Sequence, residues 1–132
     1  MIQINHNLYK WKKRQDDKCH LCNVTEDVTH LLFECRYAKV IWDKINDISN
    51  HVIDAEDVFL GSKLSNDDIF IVSSISYFIF KRWVNFSYSG TPRDCNTAIE
   101  MLKVELKYIH MVYTQLKNIH ICHILSNIIE LL

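Results

Sequence analysis

Glycine occurs only twice and proline once in 132 residues. A chain so poor in the residues that close tight turns is not a loop-rich sandwich of many short strands, and its 48% hydrophobic content separates it from disordered, low-complexity sequences. No eighteen-residue stretch is free of charged or strongly polar side chains, so no membrane span is expected. The first residues lack the basic, apolar and small-residue succession of a secretory leader. Neither sign of charge dominates, the formal net charge being −1. These absences leave a mainly α, single-domain protein, long enough to build a core without disulfide staples and expected inside the cell, in cytoplasm or nucleus.

The near-neutral total conceals an uneven distribution. Residues 1–18 carry five basic side chains (Lys10, Lys12, Lys13, Arg14, Lys18) against Asp16 and Asp17, whereas residues 45–132 carry seven basic and ten acidic ones. A basic lead-in of this kind attracts phosphate backbones, and it is equally the composition of a solvated face.

Apolar spacing then sets the helices. Val28, Leu31, Leu32, Tyr37, Ile41, Ile45 and Ile48 recur mostly at intervals of three and four. Ser65 followed by Asp67 and Asp68 is a helix start with acidic residues at the positive end of the dipole, and the series Ile69, Val72, Ile75, Ile79, Trp83, Phe86 predicts a long helix over 66–88. Gly90 stops it. Thr91 as cap, Pro92 in the first helical position and Asp94 in the first turn predict another long helix over 93–126, with Ile99, Leu102, Leu106, Ile109, Tyr113 and Leu116 on its apolar face. The expected architecture is a small N-terminal module, residues 1–50, packed as one unit with a helical part, residues 51–132, in a bundle of about three helices of which two are long.

Three of the five cysteines and one histidine fall within residues 19–35, as C-x2-C-x7-H-x4-C: Cys19, Cys22, His30 and Cys35. Three thiolates and an imidazole make a closed tetrahedral shell for one structural Zn2+, and in a reducing compartment clustered cysteines favour metal over bridges. A redox Cys-x-x-Cys would open a helix after a strand, and nothing before Lys18 suggests that strand. The spacing carries a structural demand. Residues five apart on an α-helix are separated by about 7.5 Å of rise and about 140° of rotation, so His30 and Cys35 cannot face one ion from an unbroken helix. A short helical turn over Val28–Leu32, a break, and a helix from near Cys35 to about Ser49 satisfy it. Trp42, seven residues after Cys35, then lands beneath the site.

The segment LYKWKKRQDDKCHLCNVTEDVTHLLFECRYAKVIWDKI resembles the zinc-binding region that follows the reverse transcriptase domain in non-LTR, LINE-type retrotransposon proteins. The resemblance is carried by Leu8, Tyr9 and Trp11, by Cys19, Cys22, Glu26, Asp27, His30, Leu31 and Cys35, and by Trp42. The family often has proline after the last cysteine, where Arg36 stands here. The stretch IFIVSSISYFIFKRWVNF, followed by TP and a helical pattern, is similar to the family's C-terminal tail. Full-length relatives carry polymerase and endonuclease chemistry, but this chain has no Tyr-x-Asp-Asp-like carboxylate pair for two-metal catalysis and no nuclease constellation, so no catalytic residue and no small-molecule substrate is assigned.

The resemblance implies a zinc domain that helps grip template RNA or target DNA, as part of or alongside a reverse transcriptase protein. Lys10, Lys12, Lys13, Arg14 and Lys18 would meet phosphates, Trp11 or Tyr9 would stack on an unpaired base, the other use of both rings being core packing, and His20, inside the zinc turn, would reach a phosphate or base. The competing reading is a zinc-stabilised protein-interaction or scaffolding domain, which the acidic balance after residue 45 and the apolar IHICHILSNIIELL terminus favour. His110, His120, His123 and Cys122 do not space to one point and are read as helix surface. Cys95 is read as a free thiol.

Overall fold

The structure, a computed structural model, describes residues 18–49, 52–61 and 63–132. The lead-in Ile2, Ile4, Leu8, Tyr9, Lys10, Trp11, Lys12, Lys13 and Arg14 lies outside the described residues. What is described is mainly helical, and the sole β pairing among the described residues is an isolated bridge between Lys18 and Thr25.

Helix α1, Arg36–Ile48, buries Tyr37, Ala38, Ile41, Trp42 and Ile45 along one side, the three-and-four spacing that its sequence carries. A short helix α2, Ala55–Phe59, follows. Its capping box is reciprocal: Asp54 accepts from the Asp57 backbone at 2.9 Å, and the buried Asp57 carboxylate accepts from the Asp54 backbone at 3.2 Å. Helix α3, Asn66–Ser89, starts where the serine cap placed it, with Ser65 Oγ accepting from Asp68 N at 3.2 Å, and ends at Gly90 in the left-handed conformation, φ 71°. It buries Ile71, Val72, Ile75, Phe78, Ile79 and Trp83.

The span expected as one helix over 93–126 is two. Pro92 lies outside the helix, Asp94 Oδ1 caps a 3₁₀ turn, Cys95–Thr97, at 2.9 Å, and α4 runs over Ala98–Gln115 before α5, Ile119–Leu131. The chain reverses at Lys117, whose φ is 59°. Asn118 N donates to Tyr113 O and Lys117 N to Thr114 O, both at 3.0 Å, so the C-terminal carbonyls of α4 are satisfied as in a Schellman turn. Asn118 then caps α5, accepting from Ile121 N at 3.1 Å. A lysine in the left-handed region carries a steric cost that glycine does not. Lys117→Gly is expected to raise stability by about 0.5 kcal/mol, the entropy of an unfolded glycine offsetting part of the relief, as read by urea denaturation.

Helix α4 packs on α5, on α1 and on α3. The α3–α4 register is marked by the Lys81–Glu105 ion pair at 2.6 Å and by the edge-on rings of Phe70 and Tyr113 at 5.5 Å. Residues 18–35 cover the end of the bundle where α1 begins, α3 ends and α4 begins, so three elements converge on the cysteine cluster. No helix among the described residues is long and apolar enough to cross a membrane.

Candidate metal centre

The first two cysteines sit on a tight hairpin. Cys19 N donates to Val24 O and Asn23 N to Cys19 O, both at 2.8 Å, with Asn23 turning through a left-handed conformation that asparagine tolerates well. The third and fourth ligands come from an unusual winding. Residues His30–Glu34 form a π-helical turn in which Cys35 N donates to His30 O at 2.6 Å. Closing a turn over five residues brings His30 and Cys35 to the same side, which an α-helix would not do. The helix breaks at Cys35 itself (φ −59°, ψ 143°), which is also the residue preceding α1. The break that the spacing demanded is therefore present, shifted slightly along the chain from Val28–Leu32.

These four residues meet. Their ligand atoms all lie within 4.8 Å of one another. The Cys19 and Cys35 sulfurs are 3.7 Å apart and those of Cys22 and Cys35 4.0 Å. A tetrahedral zinc with Zn–S bonds of about 2.3 Å has a sulfur–sulfur edge of about 3.8 Å, so the spacing fits the ion and is far too long for a disulfide. The buried His30 Nε2 has no hydrogen-bond partner. Arg36 N donates to Cys22 Sγ at 3.3 Å, a backbone contact of the kind that supports a thiolate. The Cys19 thiol is lowered to about 3 by the hydrogen bond from Cys35, aided by His30 and the backbone of Leu21 and Cys22 against the opposing effect of burial. Cys35, across the same sulfur–sulfur contact, is correspondingly pushed up, with burial adding to the effect. The donor set and geometry fit one structural Zn2+, with four protein ligands and no open position for water.

Behind the ligands lies a polar cluster that the sequence does not announce. Glu26 is fully buried, and its Oε2 accepts from Trp83 Nε1 of α3 at 2.9 Å. Burial first, and then the Cys19 charge, raises the Glu26 carboxyl above its ordinary range, while Trp83, Arg93 and His30 oppose the shift. Arg93, 5% exposed, stacks its guanidinium between the rings of Phe86 (5.3 Å) and Tyr37 (5.9 Å). Trp42 is buried, donates Nε1–H to Leu32 O at 2.7 Å, and so ties α1 to the π turn as its position predicts. Of the residues nominated for nucleic acid, Lys18 and His20 are exposed on the zinc turn, the His20 ring lying edge-on to Phe86 at 5.1 Å, while Lys10, Trp11, Lys12, Lys13 and Arg14 are outside the described residues.

The remaining histidines stay apart. His110 pairs with Ser126, His120 with Asp67 and His123 with Asn127, and no second group with metal-ligand geometry occurs among the described residues. Cys95 and Cys122 are free thiols. No curated protein and no solved structure matches the chain. Residues 1–42, which contain Cys19, Cys22, His30, Cys35 and Trp42, match the family described as zinc-binding in reverse transcriptase.

Proposed function

We propose that the chain is a non-catalytic zinc domain that assists a reverse transcriptase protein by holding single-stranded template RNA or target DNA. One observation carries the reading. The turn presents Lys18 and His20 as exposed residues, the basic residues Lys10, Lys12, Lys13 and Arg14 precede them in sequence, and this segment matches the family described as zinc-binding in reverse transcriptase. Zinc here supplies rigidity: it fixes the turn so that the chain leading into it starts from a defined point. The helical part acts as the platform on which residues 18–49 are mounted.

The test is binding of a labelled oligouridine to the zinc-loaded chain across a salt series. The triple variant Lys12→Ala, Lys13→Ala, Arg14→Ala should bind more weakly with unchanged thermal stability, and its log Kd against log salt slope should fall by about 2, at about 0.7 per phosphate contact for a single strand. Equal binding at low and moderate salt would make the lead-in a solvated face. A protein-interaction role would then move ahead, and the exposed row Val104, Tyr108 and Met111 on the outer side of α4 is the surface that favours it.

A further inference from the structure

The end of the bundle around the zinc turn carries three arginines from three different elements. Arg36 opens α1, Arg82 lies near the end of α3, and Arg93 precedes α4. They are neighbours. Arg82 Nη2 donates to Pro92 O at 3.3 Å, Arg82 and Arg93 both act on Tyr37, and Arg36 and Arg93 both act on Cys95. Among the described residues none of the three has a carboxylate within ion-pair distance.

Their roles divide by depth. Arg93 is interior, and its positive charge faces the buried Glu26 and the Cys35 sulfur, which explains its place between two rings. Arg36 is exposed, whereas Arg82 is half-buried, its Nε out of solvent and its guanidinium bonded to Pro92 O and Tyr37 along one edge. Arg36 is exposed in the first position of α1, where the helix dipole disfavours a cation, and the first turn holds no acidic residue to offset it. The thiolate charge of the metal centre, which the Arg36 backbone touches at Cys22 Sγ, offsets only part of that cost. Of the acidic groups nearby, Glu26 Oε2 is engaged by Trp83, Asp94 Oδ1 by Asn96 N and Asp27 Oδ1 by His30 N, and Glu34 is exposed.

Resting on the nucleic-acid reading above, we propose that Arg36 and Arg82, beside Lys18 and His20 of the zinc turn, form a collar that binds the phosphodiester backbone of a single strand. Planar guanidinium groups pair with phosphate oxygens in bidentate fashion, and an exposed imidazole propped against Phe86 offers a face to an adjacent base. The strand would run across the zinc turn to the α1–α3 end of the bundle, so the binding surface is shared between the zinc module and the helical part.

The helix-dipole argument supplies a test that separates binding from folding. Arg36→Ala in the full zinc-loaded chain should weaken oligouridine binding about fivefold and lower the salt slope by about 0.7, while the thermal midpoint stays level or rises. Arg82→Gln, which keeps an amide donor for Pro92 O, should weaken binding similarly. Lys107→Glu, an exposed change on α4, alters net charge by more than Arg36→Ala and should leave the slope untouched. If the parent binds and the lead-in triple variant loses affinity while Arg36→Ala and Arg82→Gln bind as the parent does, the collar is wrong and the nucleic-acid reading stands. If the parent does not bind oligouridine or the matching single-stranded DNA at low salt, that reading falls and the collar with it. A slope lowered as much by Lys107→Glu as by Arg36→Ala would reduce the effect to net charge and overturn the collar.

Discussion

Removing the ion with a strong chelator, or removing one ligand with Cys22→Ala, is expected to collapse residues 18–35 and to lower the thermal midpoint of the whole chain with loss of helical signal. In small zinc domains metal binding and folding share one free energy, about 10–16 kcal/mol in finger peptides, and a chain with its own helical core should lose a fraction of that, several kcal/mol. Cys22 is the informative ligand because it is only half-buried. Its truncation leaves little cavity, so the loss reads as ligand loss. Cys19, His30 and Cys35 are themselves buried in the core, beside Leu31 and Trp42, so an opened site exposes the start of α1 and the end of α3 together. Purified chain should hold one zinc per molecule under reducing conditions. An apo form with the parent's midpoint and helical signal would show that the fold does not depend on the site.

The convergence of Cys19, Cys22, His30 and Cys35 was legible in the sequence because each element of it is local. Cysteine spacing, the five-residue interval from His30 to Cys35, and the position of Trp42 all act within a few turns of chain, and each constrains geometry by itself. The cap at Ser65 and the stop at Gly90 bounded α3 for the same reason. What escaped was of two kinds. Weak local signals were outvoted: the apolar series continues through Leu116 to Leu125, so Asn118, a good cap, and the reversal at Lys117 were hidden beneath an unbroken periodicity. The capping box Asp54–Asp57 was similarly masked by the brevity of α2. Long-range pairings left no signal at all. Glu26 reads as one more solvated acid in an acidic run, and only its meeting with Trp83, fifty-seven residues away, makes it a buried acceptor.

That meeting yields the second large effect. Trp83→Phe should destabilise the chain by about 2–4 kcal/mol, the sum of a lost donor to a buried carboxylate and the volume of an indole ring replaced by a phenyl. Trp83 is fully buried and stacks with Phe80 at 6.3 Å, so little relaxation is available to fill the space. Glu26→Gln should cost less, about 1 kcal/mol, because the amide oxygen still accepts from the indole N–H. Burial has raised the Glu26 pKa, so the folded state disfavours its ionised form at neutral pH, and glutamine removes that cost together with the attraction to Arg93. Both changes act where residues 18–35 rest on α3. Zinc affinity measured by chelator competition should therefore weaken in Trp83→Phe although no ligand is touched, since a ligand loop that is less well seated gives back part of the binding free energy. Unfolding in guanidinium chloride with zinc present checks the order. If Glu26→Gln cost more than Trp83→Phe, the carboxylate's charge toward Arg93 would outweigh its bond to the indole, and the contact joining the zinc module to the helices would be ionic.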